Sequence, residues 1–297
     1  MSLSKIIAGT MNWGVWDKKL NTSEMARLMH VCVENQITTF DHADIYGGYT
    51  TEAEFGKAFA NSQIDRSKVQ FISKCGIALP VRRSDSGQQI TGNRDNKVKH
   101  YDYSKDYIVG SVENSLKNLN TDYLDVLLLH RPSPLMISEE IAVAVTKLKS
   151  EGKIKSFGLS NFTNSQTDLI RKFTDVEYNQ IQFSATQFDP MIDGSLDHMQ
   201  LNGIRPMAWN PLGTVFREDT DQTRRLKKLL AELVAKYGVG SDLILLAWIL
   251  QHPAGIIPVA GTVNVARIQY LKKLDDLKLD LEDWFAIWTE SMGAPVP

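Results

Sequence analysis

Four ionisable side chains stand at or just beyond the carboxyl ends of three predicted strands. Asp41 ends one strand and Tyr46 follows it, Lys74 ends the next strand, and His130 ends the one after. A tyrosine ordinarily ionises near pH ~10, and a nearby ammonium lowers that pKa. We therefore expect Lys74 to make Tyr46 a general acid at neutral pH, while Asp41 keeps the lysine charged. His130 would hydrogen-bond a substrate carbonyl oxygen, where negative charge develops.

These residues also have structural interpretations. An aspartate after a strand is often a turn residue, a lone tyrosine more often packs than reacts, and a histidine can be satisfied by its neighbours. Lys74 could be a solvated strand end or could form a Schiff base with a carbonyl substrate. Their joint placement on successive strand ends favours the catalytic interpretation. We expect no metal site, because His42 with Asp41 and Asp44 has no second cluster and no H-E-x-x-H motif occurs.

The elements that must position these side chains are strands and helices in regular alternation. Strand-like runs recur at a spacing of roughly 30 residues, which suits βα units. The predicted strands are Lys5–Thr10, Gln36–Asp41, Val69–Lys74, Leu124–Leu129, Ile154–Leu159, Tyr178–Phe183, Ile204–Trp209 and Gly255–Ala260. They predict the α/β class and a (β/α)8 TIM barrel, as a single domain over residues 1–297. An open doubly wound sheet is the alternative, but no G-x-G-x-x-G follows the first strand.

Helix starts are marked by capping residues ahead of apolar residues at helical spacing. A helix opens at Asn21–Ser23, capping boxes stand at Thr51–Glu54 and Thr163–Gln166, and Asn264 caps a further helix. The apolar residues predicted on the first three of these helices are Met25, Leu28, Met29 and Cys32; Phe55, Ala58 and Phe59; and Leu169, Ile170 and Phe173.

Composition narrows the class of protein. The 297 residues include 33 basic and 35 acidic ones, and the formal net charge of −2 excludes a bulk electrostatic nucleic-acid binder and argues against a polybasic membrane protein. Cys32 and Cys75 are too few for a disulfide scaffold, and Cys75 is expected to be buried and inert. No apolar stretch approaches the ~18 residues of a membrane span, and no signal peptide is visible. We expect a cytoplasmic protein whose partner is a small molecule, with no nucleic acid and no membrane.

One segment breaks the regular alternation. Leu79–Tyr103 is long, polar and without clear periodicity. It follows the third strand, so in a barrel it lies on the face where active sites form, and a polar loop of this length is usually functional or disordered. Its arginines could favour an anionic carbonyl compound, or the segment could be a solvated loop.

Taken in order along the chain, the motifs resemble the aldo-keto reductase superfamily. Asp41-x-x-x-x-Tyr46, Ile72-Ser-Lys74 and Leu128-Leu-His130-x-Pro132 match its catalytic pattern. Further matching segments are Gly158–Phe162, Tyr178–Gln180 and Gly9-Thr10, and the resemblance runs from Lys5 to Arg267. Gly47-Gly48 and Thr50–Gly56 are most similar to bacterial oxidoreductases of the YdhF type.

The resemblance implies a (β/α)8 barrel that reduces aldehyde or ketone carbonyls to alcohols with NADPH. Tyr46 would be the proton donor, tuned by Lys74 and Asp41, and His130 would orient the carbonyl. The family also implies an alternative, an NADPH-binding, redox-sensing regulatory subunit with slow reductase chemistry. A lyase that uses Lys74 as a Schiff base is a third possibility.

The resemblance also implies where NADPH or NADP+ would lie. The implied cofactor residues are Gly9, Thr10 and Met11; Ser160, Asn161 and Gln180 at the nicotinamide carboxamide; Trp209 stacked on the nicotinamide; Asn210, Leu212 and Gly213 at the pyrophosphate; and Gly261, Thr262, Asn264 and Arg267 at the adenosine phosphate. The chain departs from the family pattern at Gly261, where some members have lysine, and at Leu271, where a carboxamide residue is frequent. Arg267 remains to pair with a 2′-phosphate, a geometry that suits guanidinium. Arg267 could also be solvated, and Thr262 and Asn264 could serve only as helix caps.

Aromatic residues near the predicted mouth of the barrel are candidates for contact with substrate. Trp13, Trp16 and Tyr49 could line an aromatic pocket or could pack on the rim of the barrel. Trp284 and Trp288 are first interpreted as helix packing, although they could also lie at the edge of the pocket.

Overall fold

In the computed structural model of the chain, the structure describes residues 3–80, 82–83, 89–91 and 96–297, and eight strands close into a barrel. The strands are β1 Ile7–Gly9, β2 Thr39–Asp41, β3 Gln70–Cys75, β4 Leu124–Leu129, β5 Ile154–Ser160, β6 Tyr178–Gln182, β7 Arg205–Trp209 and β8 Ile257–Ala260. Each strand runs parallel to its neighbours, and β1 pairs with β8 to complete the ring. The predicted (β/α)8 barrel is confirmed.

Helices surround the barrel as crossover connections, which is what parallel neighbours require. They are α1 Thr22–Glu34, α2 Thr51–Ser62, α3 Lys105–Leu119, α4 Ser138–Ser150, α5 Asn164–Arg171, α6 Ser195–Leu201, α7 Asp221–Tyr237, α8 Ser241–Leu250, α9 Val265–Tyr270 and α10 Leu281–Met292. Within the described ranges no single helix is long and apolar enough to cross a membrane. The pair α7 and α8 meets that test only together, with a 90° bend between them.

The local signals for helix starts are mostly correct. Asn21 and Thr163 each accept from the backbone three residues on and complete capping boxes, and Asn264 caps α9. The capping box predicted at Thr51–Glu54 is wrong. Thr51 is already the first helical residue, and the preceding Thr50 donates its hydroxyl to the Gly47 carbonyl instead of capping the helix.

The predicted apolar faces are buried in α1 and α2 but only in part in α5. Met25, Leu28, Met29 and Cys32 are buried, as are Phe55, Ala58 and Phe59. Of the three residues predicted on α5, only Ile170 is buried, whereas Leu169 is 57% exposed and Phe173 is 42% exposed. The helix α5 ends at Arg171, so Phe173 lies beyond it and the helical spacing no longer applies.

Two layers of apolar side chains hold the barrel. Its interior is filled by Ile7, Ile72, Val126, Leu128, Met207, Ile257 and Val259, and a larger layer lies between strands and helices. Trp248 of α8 and Trp284 of α10 stack at 5.3 Å, and each indole Nε1 donates to the backbone carbonyl of the other. Trp284 is therefore a packing residue, as predicted.

The amino ends of β3, β4 and β5 are tied together by one buried carboxylate. Asp125 is 5% exposed and accepts from Arg66 Nη2 at 2.8 Å, Lys155 Nζ at 3.1 Å and the backbone N–H of Phe71 at 2.9 Å. Arg66 also lies over the rings of Phe71 and Tyr123. This cluster is at the barrel end opposite the candidate site, where its role is to stabilise the fold.

The segment from Leu79 to Tyr103 contains more regular structure than its composition predicts. Residues Ile77–Ala78 pair antiparallel with His100–Tyr101, and Arg82–Arg83 pair with Gln89–Thr91. These two short ladders fold the segment over the carboxyl end of β3. Residues 81, 84–88 and 92–95, and with them Arg94, lie outside the described residues.

Candidate active site

Three of the four predicted catalytic side chains form one hydrogen-bonded group. Lys74 Nζ donates to Asp41 Oδ1 at 2.7 Å and Oδ2 at 2.8 Å, to the backbone carbonyl of His42 at 2.6 Å, and to Tyr46 Oη at 3.2 Å. Asp41 and Lys74 are 2% and 1% exposed. A buried ammonium is stable only when it is paired and hydrogen-bonded, and this one has both kinds of partner.

Strand register brings the group together. Asp41 is the last residue of β2 and is opposite Ile72 of β3, so Lys74 lies two residues further along the same edge. Tyr46 begins a 3₁₀ turn at Tyr46–Gly48. In that turn Gly47 has φ 63°, and a Cβ there would lie 2.5 Å from Thr51 Oγ1. A glycine is therefore required for the tyrosine to return toward Lys74.

His130 completes the arrangement from the end of β4. Its ring packs edge-on against Tyr46 with centroids 6.1 Å apart, and its backbone N–H donates to the Cys75 carbonyl at 2.9 Å. Nδ1 is buried without a hydrogen-bond partner among the described residues. Burial, reinforced by the charges of Lys74 and Arg131, holds the pKa of His130 well below its usual value, so the imidazole is neutral.

The pKa of Tyr46 is shifted opposite to the expectation drawn from Lys74 alone. Burial raises the pKa of the phenol above its usual value, and the nearby Lys74 ammonium offsets only part of that rise. Burial by itself lowers the pKa of Lys74, but the charge of Asp41 and the hydrogen bonds to Asp41 and Tyr46 more than reverse this and leave that pKa raised. The resting state is a neutral phenol beside a charged ammonium.

Sequence reasoning did not predict that Glu52, Asp44 and Cys75 form a second group of titratable residues, and it did not single out Glu52. Glu52 is 2% exposed and accepts from Ser73 Oγ at 2.6 Å, and Asp44 donates its backbone N–H to the Lys74 carbonyl. Burial raises the pKa of both carboxyls. Cys75 lies among them, 1% exposed, with a pKa raised well above the usual thiol value by burial, as expected for an inert residue. The only sequence signal for Glu52 was its position in the first turn of α2.

The residues implied at the nicotinamide lie along the carboxyl ends of β5, β6 and β7. Asn161 donates Nδ2 to Ser160 Oγ at 2.8 Å and accepts from Trp209 Nε1 at 2.9 Å. Gln180 donates Nε2 to Asp41 Oδ1 at 3.1 Å, which links this group to Lys74. The half-buried Trp209 ring is thus held by its indole nitrogen and presents a plane at the mouth of the barrel.

The loop after β7 is tightly braced. Asn210 and Gly213 have φ of 54° and 56°, and Arg217 Nη2 donates to Asn210 Oδ1 and the Gly213 carbonyl, each at 2.8 Å. A Cβ at Gly213 would lie 2.6 Å from Ser184 Oγ and closer still to Thr186 Oγ1. Ser184 and Thr186 are further residues that sequence reasoning missed. Leu212 lies in the same loop, packed against the core.

The remaining implied cofactor residues divide between the interior and the surface. Thr10 is fully buried and donates Oγ1 to the Asp41 carbonyl at 2.9 Å, so its hydroxyl already has an internal partner. Gly9 ends β1, and Met11 is 45% exposed. The segment after β8 is more open: Gly261, Asn264 and Arg267 are exposed and Thr262 is half-buried, while Asn264 accepts from the Arg267 backbone N–H.

The three aromatic candidates for substrate contact lie in different surroundings. Trp13 is 1% exposed, with its ring 6.1 Å from Phe40 and 5.9 Å from Phe55, so it is a core residue and the packing interpretation holds. Trp16 is 48% exposed, and its ring lies 6.0 Å from that of Tyr46. Tyr49 donates its hydroxyl to the Ile77 carbonyl and accepts from the Leu79 N–H.

The chain is similar to known proteins over nearly its whole length. The model of the aldo/keto reductase family matches residues 5–289. The chain is 40% identical to the uncharacterised oxidoreductase YcsN of Bacillus subtilis, over 100% of this chain and 97% of that protein. It is 35% identical to the oxidoreductase YdhF of Escherichia coli, over 96% and 93%, and 35% identical to a 6-dehydroglucose reductase of Agrobacterium fabrum, over 100% and 97%.

A solved structure agrees with the barrel. An aldo-keto reductase from Klebsiella pneumoniae, crystallised in complex with NADPH, superposes with a TM-score of 0.76 at 22% identity, covering 99% of this chain and 92% of that chain. At this identity the likeness concerns the fold.

Proposed function

Because the chain belongs to the aldo/keto reductase family and is an oxidoreductase, we propose that it reduces an aldehyde or ketone to the alcohol, with NADPH as the cofactor. The observation that carries the proposal is the position of Lys74 Nζ, 3.2 Å from Tyr46 Oη and bound to both oxygens of Asp41. A buried phenol beside a fixed ammonium is a general acid whose conjugate base is stabilised in place.

The chemistry needs a proton at the carbonyl oxygen as negative charge develops there. NADPH, when bound, supplies the hydride to the carbonyl carbon. Tyr46 gives its phenolic proton to the carbonyl oxygen, and the resulting phenolate is stabilised by the Lys74 ammonium. Asp41 keeps Lys74 charged and oriented throughout.

His130 orients the carbonyl in this proposal. Its lowered pKa keeps the imidazole neutral, so one ring nitrogen carries a hydrogen that can bond the substrate oxygen. Because the Tyr46 and His130 rings are 6.1 Å apart and perpendicular, both groups can approach one oxygen atom. The proton then comes from Tyr46, since a neutral imidazole is a much weaker acid than the pair of phenol and ammonium.

The residues at the ends of β5 to β8 fit a nicotinamide dinucleotide. Ser160, Asn161 and Gln180 supply hydroxyl and amide groups for a carboxamide, and the half-exposed plane of Trp209 suits a stacked ring. The braced loop at Gly213 follows β7 and the open segment at Gly261–Arg267 follows β8, which is where barrels commonly bind phosphate, and the second segment supplies the guanidinium of Arg267. Arg267 is exposed and has no ion pair with the described residues, which favours NADPH over NADH.

Fluorescence titration with NADPH and NADH in parallel, followed by a screen of carbonyl compounds, tests the proposal. We expect NADPH to bind more tightly and to quench tryptophan emission, followed by turnover of aldehydes or ketones. The screen includes 6-dehydroglucose, because one relative is named a 6-dehydroglucose reductase. Equal binding of NADH would remove the role given to Arg267, and binding of neither would overturn the reductase proposal. Borohydride trapping on Lys74 would then test the lyase alternative.

A further inference from the structure

Arg131 is a cation at the mouth of the site that the proposed reaction does not use. It follows His130 directly, at the carboxyl end of β4, and is half-buried. Its guanidinium carbon lies 5.7 Å from the ring centroid of Trp209. The side chain therefore extends from the carboxyl end of β4 toward Trp209 at the end of β7.

The backbone of Arg131 is held on both sides. Tyr103 donates its hydroxyl to the Arg131 carbonyl and accepts from the Arg131 N–H. Tyr103 is 5% exposed and occupies space that is free only because residue 76 is glycine, since a Cβ there would lie 2.6 Å from the tyrosine oxygen. Gly76 also has φ 108°, which disfavours any other residue. The backbone of Arg131 is thus held rigidly, as is expected of a binding residue.

The guanidinium has no anionic partner among the residues that the structure describes. Among residues 3–80 and 96–297, Arg131 forms no ion pair within 4.0 Å and no side-chain hydrogen bond, in contrast to Arg66, which is paired to Asp125. The side chain that the guanidinium does face is the ring of Trp209. A half-buried guanidinium that has no carboxylate partner can bind an anion. Its five N–H donors are matched best by the two oxygens of one carboxylate.

A second cation reinforces the same polarity. Lys99, on the segment that folds over β3, is exposed and likewise has no ion pair with a described residue. After burial, the charges of Lys74, Arg131 and Lys99 all contribute to the lowered pKa of His130. Since Asp41 already compensates Lys74, the uncompensated positive charge lies on the outer side of His130, where the part of a substrate beyond its carbonyl would extend.

Resting on the proposed carbonyl reduction, we infer that the substrate carries a carboxylate and that Arg131 binds it, with Lys99 contributing to the attraction. Arg131 is a specificity residue in this inference, because it contacts the substrate away from the reacting atoms. The arginines of the polar segment are not needed, and the residue responsible is next to His130 in the chain.

The test compares two aldehydes that differ only in charge, 4-formylbenzoate and its methyl ester, with the NADPH-loaded enzyme. We expect the wild type to prefer the acid by about 10-fold or more in kcat/KM, since charge-assisted hydrogen bonds have that strength. Arg131→Met should reduce the ratio to near one, and Arg131→Lys should retain part of it. The preference should also fall as ionic strength rises, because the site is open to solvent.

Arg205→Met is the matched control. It removes one exposed arginine from the start of β7, at the opposite end of the barrel, and should leave the acid-to-ester ratio unchanged. NADPH titration of each variant separates the two possible sources of the anion. If Arg131→Met weakens NADPH binding more than 10-fold and leaves the ratio unchanged, Arg131 serves a cofactor phosphate and the inference is wrong.

Failure of the inference is distinct from failure of the proposed function. A wild type that reduces the ester with NADPH but shows no preference for the acid keeps the reductase function and overturns the anion site. A wild type that neither binds NADPH nor reduces either aldehyde overturns both. A Kd for 4-hydroxymethylbenzoate, the alcohol product, that is equal in wild type and Arg131→Met would also overturn the anion site, without depending on turnover.

Discussion

The ammonium nitrogen of Lys74 lies 3.2 Å from the phenolic oxygen of Tyr46 in a region closed to solvent. Burial and the ammonium act on the tyrosine in opposite directions, and burial prevails, so the phenol keeps its proton at neutral pH. Such a group releases its proton only to a stronger base. In the proposed reaction the oxygen of the carbonyl under reduction is that base, and the Lys74 ammonium, 3.2 Å away, would stabilise the phenolate that remains.

Removing the phenolic hydroxyl should abolish most turnover without affecting the cofactor. We expect Tyr46→Phe to lower kcat by about 10² to 10⁴, the contribution usual for a positioned general acid. NADPH affinity should stay within about threefold, since no contact of the implied cofactor residues involves this oxygen. Tyr123→Phe, at the opposite end of the barrel, is the matched control. A full-rate Tyr46→Phe enzyme would show that the proton has another source.

The pair of Lys74 and Asp41 should behave as one unit in stability. Lys74→Met leaves a buried carboxylate whose remaining donor is Gln180, and we expect a loss of about 3–5 kcal/mol in the free energy of unfolding. Adding Asp41→Asn should recover part of this loss, because the uncompensated charge is removed. Urea unfolding of the two single variants and the double variant measures the coupling. Strictly additive losses would argue against the ion pair.

Reduction should depend little on pH across the neutral range. It requires a neutral His130, whose pKa is lowered by burial and by Lys74, and a protonated Tyr46, whose pKa is raised by burial. His130 is neutral at pH values above its lowered pKa, and Tyr46 stays protonated at pH values below its raised pKa. Both groups are therefore in the required state between about pH 6 and pH 9. Profiles of kcat/KM at constant ionic strength test this. An inflection near pH ~6.5 would show an ordinary histidine at the site.

The loop after β7 should be intolerant of any side chain at Gly213. Gly213→Ala combines a positive φ with a collision against Thr186 and Ser184, and we expect it to destabilise the fold and weaken NADPH binding. Gly152→Ala measures the cost of a positive φ without a collision, since Gly152 has φ 69° and no atom lies within 4 Å of the added Cβ. It should cost about 1 kcal/mol and leave NADPH binding unchanged. Equal effects of the two substitutions on Kd would mean that the Gly213 loop does not contact the cofactor.

The sequence was sufficient for most of the local and periodic information, the exceptions being the Thr51–Glu54 capping box and the apolar face of α5. Eight alternating strand and helix signals predicted the barrel, because parallel neighbours need crossover helices and their carboxyl ends then lie on one face. That rule alone places Asp41, Lys74 and His130 at the same end of the barrel. The helix start at Asn21 and the capping box at Thr163 were likewise readable, since every group involved lies within four residues.

Other expectations failed where burial decides the outcome. Trp13 was a candidate for substrate contact and is a core residue, because the β1–α1 loop turns its ring onto Phe40 and Phe55. The predicted direction of the Tyr46 pKa shift was wrong. The charge of Lys74 can be seen in the sequence, but the loss of solvent around Tyr46 cannot.

By itself the sequence determined the order of strands and helices, the identity of the four candidate catalytic residues and the family to which the chain belongs. Tertiary structure alone decided which groups lose water and which charges remain unpaired. Asp41 and Lys74 are 33 residues apart in the chain and in direct contact, whereas Arg131, beside His130, has no anionic partner among the described residues. The reason is physical: desolvation and ion pairing depend on everything that packs around a group, and most of that comes from distant parts of the chain.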